Sequence, residues 1–141
     1  MTGYRHSFPL RWNDNDQYGH MNNAVYYEAM DSAVNAWMIR EAGLDVRGEV
    51  IGVARATSCE FLESASYPEE LEVDVAVARL GSTSITWDLA IVRRGAPDRS
   101  APVALGRFTH VFVGQRDRRP VPIPDRIRKA VLEGLEILPT P

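Results

Sequence analysis

The feature that most constrains this chain is a change of hydrophobic period at Gly43. From Asn23 to Ala42 the apolar residues fall in pairs: Val25/Tyr26, Ala29/Met30, Ala33/Val34 and Trp37/Met38. Recurrence at i, i+3, i+4 and i+7 predicts one long amphipathic helix, about 30 Å at 1.5 Å per residue. Asn22 or Asn23 suits its N-cap, and Gly43 suits the position just past its end. Beyond Gly43 the period is two. Leu71, Val73, Val75 and Val77 alternate with Glu72, Asp74, Ala76 and Ala78; Ile85, Trp87, Leu89 and Ile91 alternate with Thr86, Asp88, Ala90 and Val92. Such alternation marks strands buried better on one face than on the other. Val50 to Leu62 and Val103 to Val113 complete the set, with Gly106 expected at a bulge. Turns fall at Leu80-Gly81-Ser82-Thr83 and Gly95-Ala96-Pro97-Asp98. Tyr4 to Trp12 reads as a first strand, and Pro124-Asp125 opens a short helix through Leu135. One long helix followed by adjacent antiparallel strands is an α+β pattern. A curved antiparallel sheet wrapped around one long central helix is the simplest way to bury both. Hairpin-linked strands need no crossover helices, so this is not a doubly wound nucleotide fold.

No repeat, linker or homopolymeric stretch divides the chain, so residues 1–141 are expected to form a single domain. With 141 residues, 45% of them apolar, it can bury an adequate core without staples. The single cysteine, Cys59, excludes an internal disulfide framework and a multi-cysteine zinc site, and suits a reducing compartment. No apolar run approaches the roughly 18 residues of a membrane span. The expectation is a soluble, cytoplasmic protein with no membrane partner. The net charge is −3, unevenly spread: residues 1–92 hold six arginines against fourteen acids, and residues 93–141 hold ten basic residues against five acids. Overall acidity argues against a nucleic-acid partner, which needs a concentrated basic face. The later arginines could still hold a small phosphorylated ligand.

The common nucleotide and hydrolase signatures are missing: no G-x-G-x-x-G, no G-x-x-x-x-G-K-[ST], no G-x-S-x-G and no H-E-x-x-H. Cys59 falls mid-strand and reads as a small core residue rather than a nucleophile. What remains is a dense polar run directly before the long helix, Asp14-Asn15-Asp16-Gln17-Tyr18-Gly19-His20-Met21-Asn22-Asn23. As a calcium loop it fails, because Tyr18 and Val25 occupy the fifth and twelfth positions counted from Asp14. A transition-metal site from Asp16, His20 and His6 or His110 has no diagnostic spacing. Asx residues and glycine are also what a helix start requires, and for Asn22 and Asn23 capping and function can coexist. A carboxylate and an imidazole in the same turn are harder to explain by capping. A helix N-terminus offers unpaired N–H groups that can polarise a carbonyl oxygen, and a neighbouring carboxylate can serve as base or nucleophile. Together they describe an acyl-transfer site without Ser or Cys.

Here the sequence resembles a known family. Trp12-Asn13-Asp14-Asn15-Asp16-Gln17-Tyr18-Gly19-His20-Met21-Asn22-Asn23, followed by Tyr26, is similar to the W-x-D-x-D-x-x-G-H-x-N-N-x-x-Y motif of hotdog-fold acyl-CoA thioesterases of the 4-hydroxybenzoyl-CoA thioesterase group. The resemblance implies a hotdog fold, a homodimer or homotetramer, and thioester hydrolysis without a metal or other cofactor. By position it implies that Asp16 is the catalytic aspartate and that Asn23 supplies the backbone N–H for the thioester oxygen. His20 joins them as a catalytic candidate. It stands four residues after Asp16, as in relatives resembling plant acyl-ACP thioesterases, whereas other relatives carry His at the Asn23 position. Asn22, Tyr26, Glu63, Arg93 and Arg94 are the substrate-binding candidates. Arg116, Arg118 and Arg119 are further candidates for the phosphates of the carrier. The expected partner is acyl-CoA, with acyl-ACP as the alternative carrier and a non-catalytic acyl-CoA-binding module as the alternative from another class.

Overall fold

The computed structural model describes residues 3–139. In chain order the elements are β1 (Tyr4–Pro9), α1 (Asn23–Arg40), β2 (Val50–Phe61), β3 (Glu70–Leu80), β4 (Ser84–Arg93), β5 (Ala104–Gly114) and α2 (Asp125–Gly134), with a 3-10 turn at Trp12–Asp14. The five strands form one antiparallel sheet in the order β1-β3-β4-β5-β2. The predicted first strand therefore stops at Pro9, which cannot continue a ladder as a donor, and its last residues coil into the 3-10 turn. The other predicted elements stand within two residues of their expected ends.

The period-two residues of β3 and β4 are the inner face: Leu71, Val73, Val75, Val77, Ile85, Trp87, Leu89 and Ile91 are all buried. Against them lies α1, burying Tyr26, Ala29, Met30, Ala33, Val34, Trp37 and Met38, the stripe that the pairing pattern describes. Gly43 ends the helix at φ +71, a conformation that costs glycine little, with the Leu44 N–H returning to the Met38 carbonyl at 2.9 Å. Gly106 is not at a bulge. The irregularities lie between Ala54 and Ala56 of β2 and between Val77 and Arg79 of β3. Gly106 instead marks where the helix meets the sheet: a Cβ there would lie 2.4 Å from Met30 Sδ.

The two edges of the sheet differ. On one side β1 has six residues, and beyond the β3 bulge the chain end takes its place, with Val77 N–H donating to Glu136 O (2.9 Å) and Leu138 N–H to Val77 O (2.8 Å). On the other side the outer edge of β2 is unpaired among the described residues along all twelve positions. Its inner face is also poorly covered, because Thr57 and Phe61 are exposed. Among the described residues no helix is long and apolar enough to cross a membrane.

Candidate active site

The polar run before α1 folds as a braced loop. Arg11 closes the 3-10 turn by donating to the buried Asp14 carboxylate from its backbone N–H (2.7 Å) and from Nη2 (2.9 Å). Burial alone would raise the Asp14 pKa, but the hydrogen bonds and charge of Arg11 outweigh it and hold the carboxyl below its ordinary value. Asp14 then accepts the Asn22 N–H on its backbone carbonyl (2.8 Å), which sets where the helix begins. Asn22 is the N-cap, its Oδ1 accepting the Ala24 N–H at 2.9 Å. The loop is tied to the segment after β2 as well. Asn15 Oδ1 accepts the Tyr67 N–H (3.0 Å), Ser66 Oγ donates to Gly19 O (2.8 Å), and the Met21 N–H donates to Ala65 O (2.7 Å).

Asp16 sits in the tightest part of this loop. Its N–H donates to the His20 carbonyl at 2.8 Å, and its own carbonyl accepts the Gly19 N–H at 3.1 Å. Gly19 has φ +80, so the reversal needs a residue tolerant of the left-handed region. Asp16 Oδ1 accepts the Tyr18 N–H (2.8 Å) and the His20 N–H (3.3 Å). Among the described residues nothing donates to Oδ2. The Asn23 N–H likewise has no acceptor among them, since the cap of Asn22 is spent on Ala24. One oxygen is thus fixed by backbone donors while the other, and one helix-start N–H, are left for something else.

Asp16, His20, Asn23, Tyr26 and Glu63 line one cleft of about 250 Å³, together with Met21, Phe61, Leu62 and Ser64. Asp16 also borders a wider, open hollow of about 820 Å³ with Trp12, Asn13, Asn15, Gln17, Tyr18, Gly19 and Asn22. Tyr26 is buried with its ring edge-on to Phe61 (centroids 4.9 Å apart), and its hydroxyl donates to the Glu63 carbonyl at 3.3 Å. Burial raises the Tyr26 pKa, so the phenol stays a donor. Of the predicted residues, Arg93 and Arg94 do not line the cleft, though Arg93 braces its wall, donating from Nη2 to the Ser64 carbonyl at 3.3 Å. Arg93 Nη1 pairs with Glu63 Oε2 (2.7 Å) and its Nε with Glu69 Oε1 (2.9 Å), while Arg94 pairs with Glu70. A phosphate at either would have to displace a carboxylate. His110 is in the core, accepting the Trp87 Nε1–H on Nδ1 at 2.8 Å. Among the described residues it joins neither Asp16 nor His20 in a group able to hold a metal. Cys59 is half-buried, and burial pushes its thiol up, away from a nucleophilic thiolate.

Sequence reasoning passed over Phe61 and Leu62, which reach the cleft only because the β2–β5 pairing brings the end of β2 past the helix start. It also passed over Trp12 and Tyr18 as contact surface, though both aromatic rings are more than three-quarters exposed beside Asp16, at 78% and 84%.

A carboxyl group with one oxygen left open, an unengaged helix-start N–H and a partly apolar cleft beside them can bind and attack a polarised carbonyl. The sequence model of the Thioesterase-like superfamily matches residues 10–131, a span that holds every residue of this cleft. The crystal structure of the PA5185 protein from Pseudomonas aeruginosa superposes with TM-score 0.88 at 40% identity, covering 94% of this chain and 92% of that one. The 1,4-dihydroxy-2-naphthoyl-CoA thioesterase Slr0204 from Synechocystis shares the fold at 15% identity, with TM-score 0.81 over 93% of this chain and 96% of its own. SAV2348 from Staphylococcus aureus, crystallised in complex with CoA, shares it at 13% identity, with TM-score 0.85 over 100% and 92%. No curated protein sequence matches. The sheet-wrapped helix is the hotdog fold, and the chain belongs to the thioesterase-like superfamily.

Proposed function

We propose that this protein hydrolyses acyl-CoA thioesters, with Asp16 as the general base or nucleophile. The observation that carries the reading is the pairing, in one cleft, of the free Asp16 Oδ2 with the unengaged Asn23 N–H. A thioester whose oxygen accepts that N–H gains positive charge at its carbonyl carbon, and the helix terminus strengthens the effect. Asp16 then takes a proton from an attacking water, or attacks directly to give an acyl anhydride that water opens. In both routes the C–S bond breaks from the tetrahedral carbon, the thiolate leaves and takes up a proton, and no cofactor is needed. His20 borders the same cleft and is the candidate to pass that proton to sulfur. Asn22 sets the helix start, and Tyr26 holds the Glu63 segment that forms the opposite wall. CoA rather than ACP is favoured by the naphthoyl-CoA thioesterase and the CoA complex among the structural relatives. A non-catalytic binding module would have no use for a carboxylate left open toward a bound thioester.

The assembly follows from the uncovered edge. Natural edge strands are guarded by proline, lysine, brevity or a cover. β2 is long, lacks both residue types, and carries only a bulge beside Arg55 and one further charge, Glu60. The reading is a homodimer, alone or within a tetramer, built by pairing β2 with its copy.

Asp16→Asn tests the chemistry. It keeps the size of the side chain and one oxygen for the Tyr18 and His20 N–H groups, but removes the charge. The expected loss is in kcat, about 10² or more, the usual worth of a general base. A variant that keeps more than half of wild-type turnover on the best acyl-CoA in a screen removes Asp16 from the mechanism.

A further inference from the structure

The last carbonyls of a helix carry the negative end of its macrodipole, so cations are the favoured neighbours there. Both helices of this chain bring a carboxylate to that end instead, and to the same place. Glu41 is the C-cap residue of α1, and Glu133 stands in the last turn of α2, which holds no basic residue. Together they line a hollow of about 420 Å³ with Tyr4, Trp37 and Ala130. The hollow lies far from the cleft, because Trp37 follows Asn23 by fourteen residues, about 21 Å along α1.

Among the described residues neither carboxylate has an ion pair, and no basic side chain lines the hollow. Arg40 is adjacent to Glu41 in sequence but is turned to another neighbour: burial, and then the charge of Arg40, lower the pKa of His6 on β1. Two other unpaired acids also sit in hollows, but beside a guanidinium. Glu49 shares its hollow with Arg47 and Arg116, and Glu60 shares one with Arg107.

A second observation comes from the core side. Trp37 is only 2% exposed, and its indole N–H has no acceptor among the described residues, whereas Trp87, with its ring 5.6 Å away, donates its own to His110. Trp37 Nε1 is not sealed in, since every fully buried side-chain nitrogen and oxygen among the described residues has a partner. The donor therefore opens where Trp37 reaches solvent, in this hollow. Two carboxylates and two helix ends favour a cation, and the indole N–H favours an acceptor. A metal ion gains nothing from an N–H donor, and among the described residues no group of three ligating side chains could hold one. An organic ammonium satisfies every part. It donates to the carboxylates, packs against the Tyr4 and Trp37 rings, and lets a neighbouring oxygen accept the indole N–H.

We propose that this hollow is a second ligand site, which binds a small organic amine carrying a hydroxyl or carbonyl oxygen beside its ammonium group. It uses neither Asp16 nor the thioester, so it does not rest on the acyl-CoA reading.

The test is a titration of ¹⁵N-labelled protein with ethanolamine at constant ionic strength, following the indole N–H cross-peak of Trp37, assigned by triple-resonance spectroscopy. The peak should shift saturably. Ethylene glycol, in which a hydroxyl replaces the ammonium, should leave it in place. Glu41→Gln with Glu133→Gln should weaken ethanolamine binding roughly tenfold; both side chains are exposed, so the fold should survive the change. A Trp37 peak that ignores ethanolamine, or that responds equally in the glutamine variant, overturns the site. A response to magnesium chloride with none to ethanolamine overturns the ligand class. A protein that hydrolyses no acyl-CoA yet shows the ethanolamine shift sinks the thioesterase reading and leaves this site standing.

Discussion

Replacing Gly106 by alanine adds one methyl group at the place where the helix rests on the sheet. The new Cβ would sit 2.4 Å from Met30 Sδ, 2.7 Å from Met30 Cε and 2.9 Å from the Ser58 carbonyl oxygen. Ordinary contacts to carbon are about 3.5–4.0 Å, so more than 1 Å must open toward Met30 and about half that toward Ser58. Met30 is flexible but wholly buried, and in a close-packed interior its terminal atoms can move only by displacing neighbours. Ser58 is backbone in the adjacent strand and can yield only by spreading the β2–β5 ladder. Overpacking of this kind costs about 1–3 kcal/mol, and the smaller unfolded-state entropy of alanine returns about 0.4–1 kcal/mol. The net expectation is about 1–2 kcal/mol of destabilisation. For a chain of 141 residues the unfolding entropy is about 0.3 kcal/mol per degree, so Tm should fall by roughly 3–7 °C. Thermal unfolding followed by circular dichroism at one fixed protein concentration measures it, because association makes Tm concentration-dependent. Met30→Ala supplies the control. Alone it should cost about 2–5 kcal/mol through the cavity it leaves, and less in the Gly106→Ala background, with a coupling of at least 0.5 kcal/mol. A Gly106→Ala protein as stable as wild type, or additive effects of the two changes, would refute the close-approach argument.

Two further expectations follow. Burial lowers the His110 pKa, with the charge of Asp31 opposing it, and His6 shifts the same way through burial and Arg40. The unfolded chain therefore takes up these protons more readily, and the stability they contribute is complete above the unfolded value of about 6.5 and is lost as pH falls through the depressed folded values. Urea titrations at pH 7.5 and 5.5 should show the loss, and His110→Gln should flatten it; equal slopes with pH would count against a neutral buried imidazole. Light scattering at micromolar concentration should give at least twice the 15.8 kDa chain mass, and Thr57→Pro, which places a proline on the exposed part of β2, should shift the population toward monomer. A monomer in the wild type would remove the assembly.

Sequence periodicity alone determined the long helix and the strand set, because both depend on which residues leave water and that pattern is local. The Asn22 cap and the stop at Gly43 were legible for the same reason: each is a backbone requirement met within a few residues. So was the polar loop around Asp16, since it is continuous in the chain. Other features depend on residues far apart in sequence. Arg93 and Arg94 look like free cations in a row of letters, but β3, β4 and the segment after β2 bring Glu63, Glu69 and Glu70 against them. Gly106 looks like strand punctuation, and only the crossing of α1 over the sheet turns it into the floor under Met30. Phe61 and Tyr26, 35 positions apart, make one wall of the cleft because the edge strand ends beside the helix start. The difference in edges was equally hidden. β1 and β2 are both strands in the sequence, and only the tertiary order decides that β1 and the segment after α2 close one side of the sheet while the outer edge of β2 stays unpaired among the described residues. Local chemistry writes itself into composition and period; charge pairing, close approach and strand order are set by which segments meet.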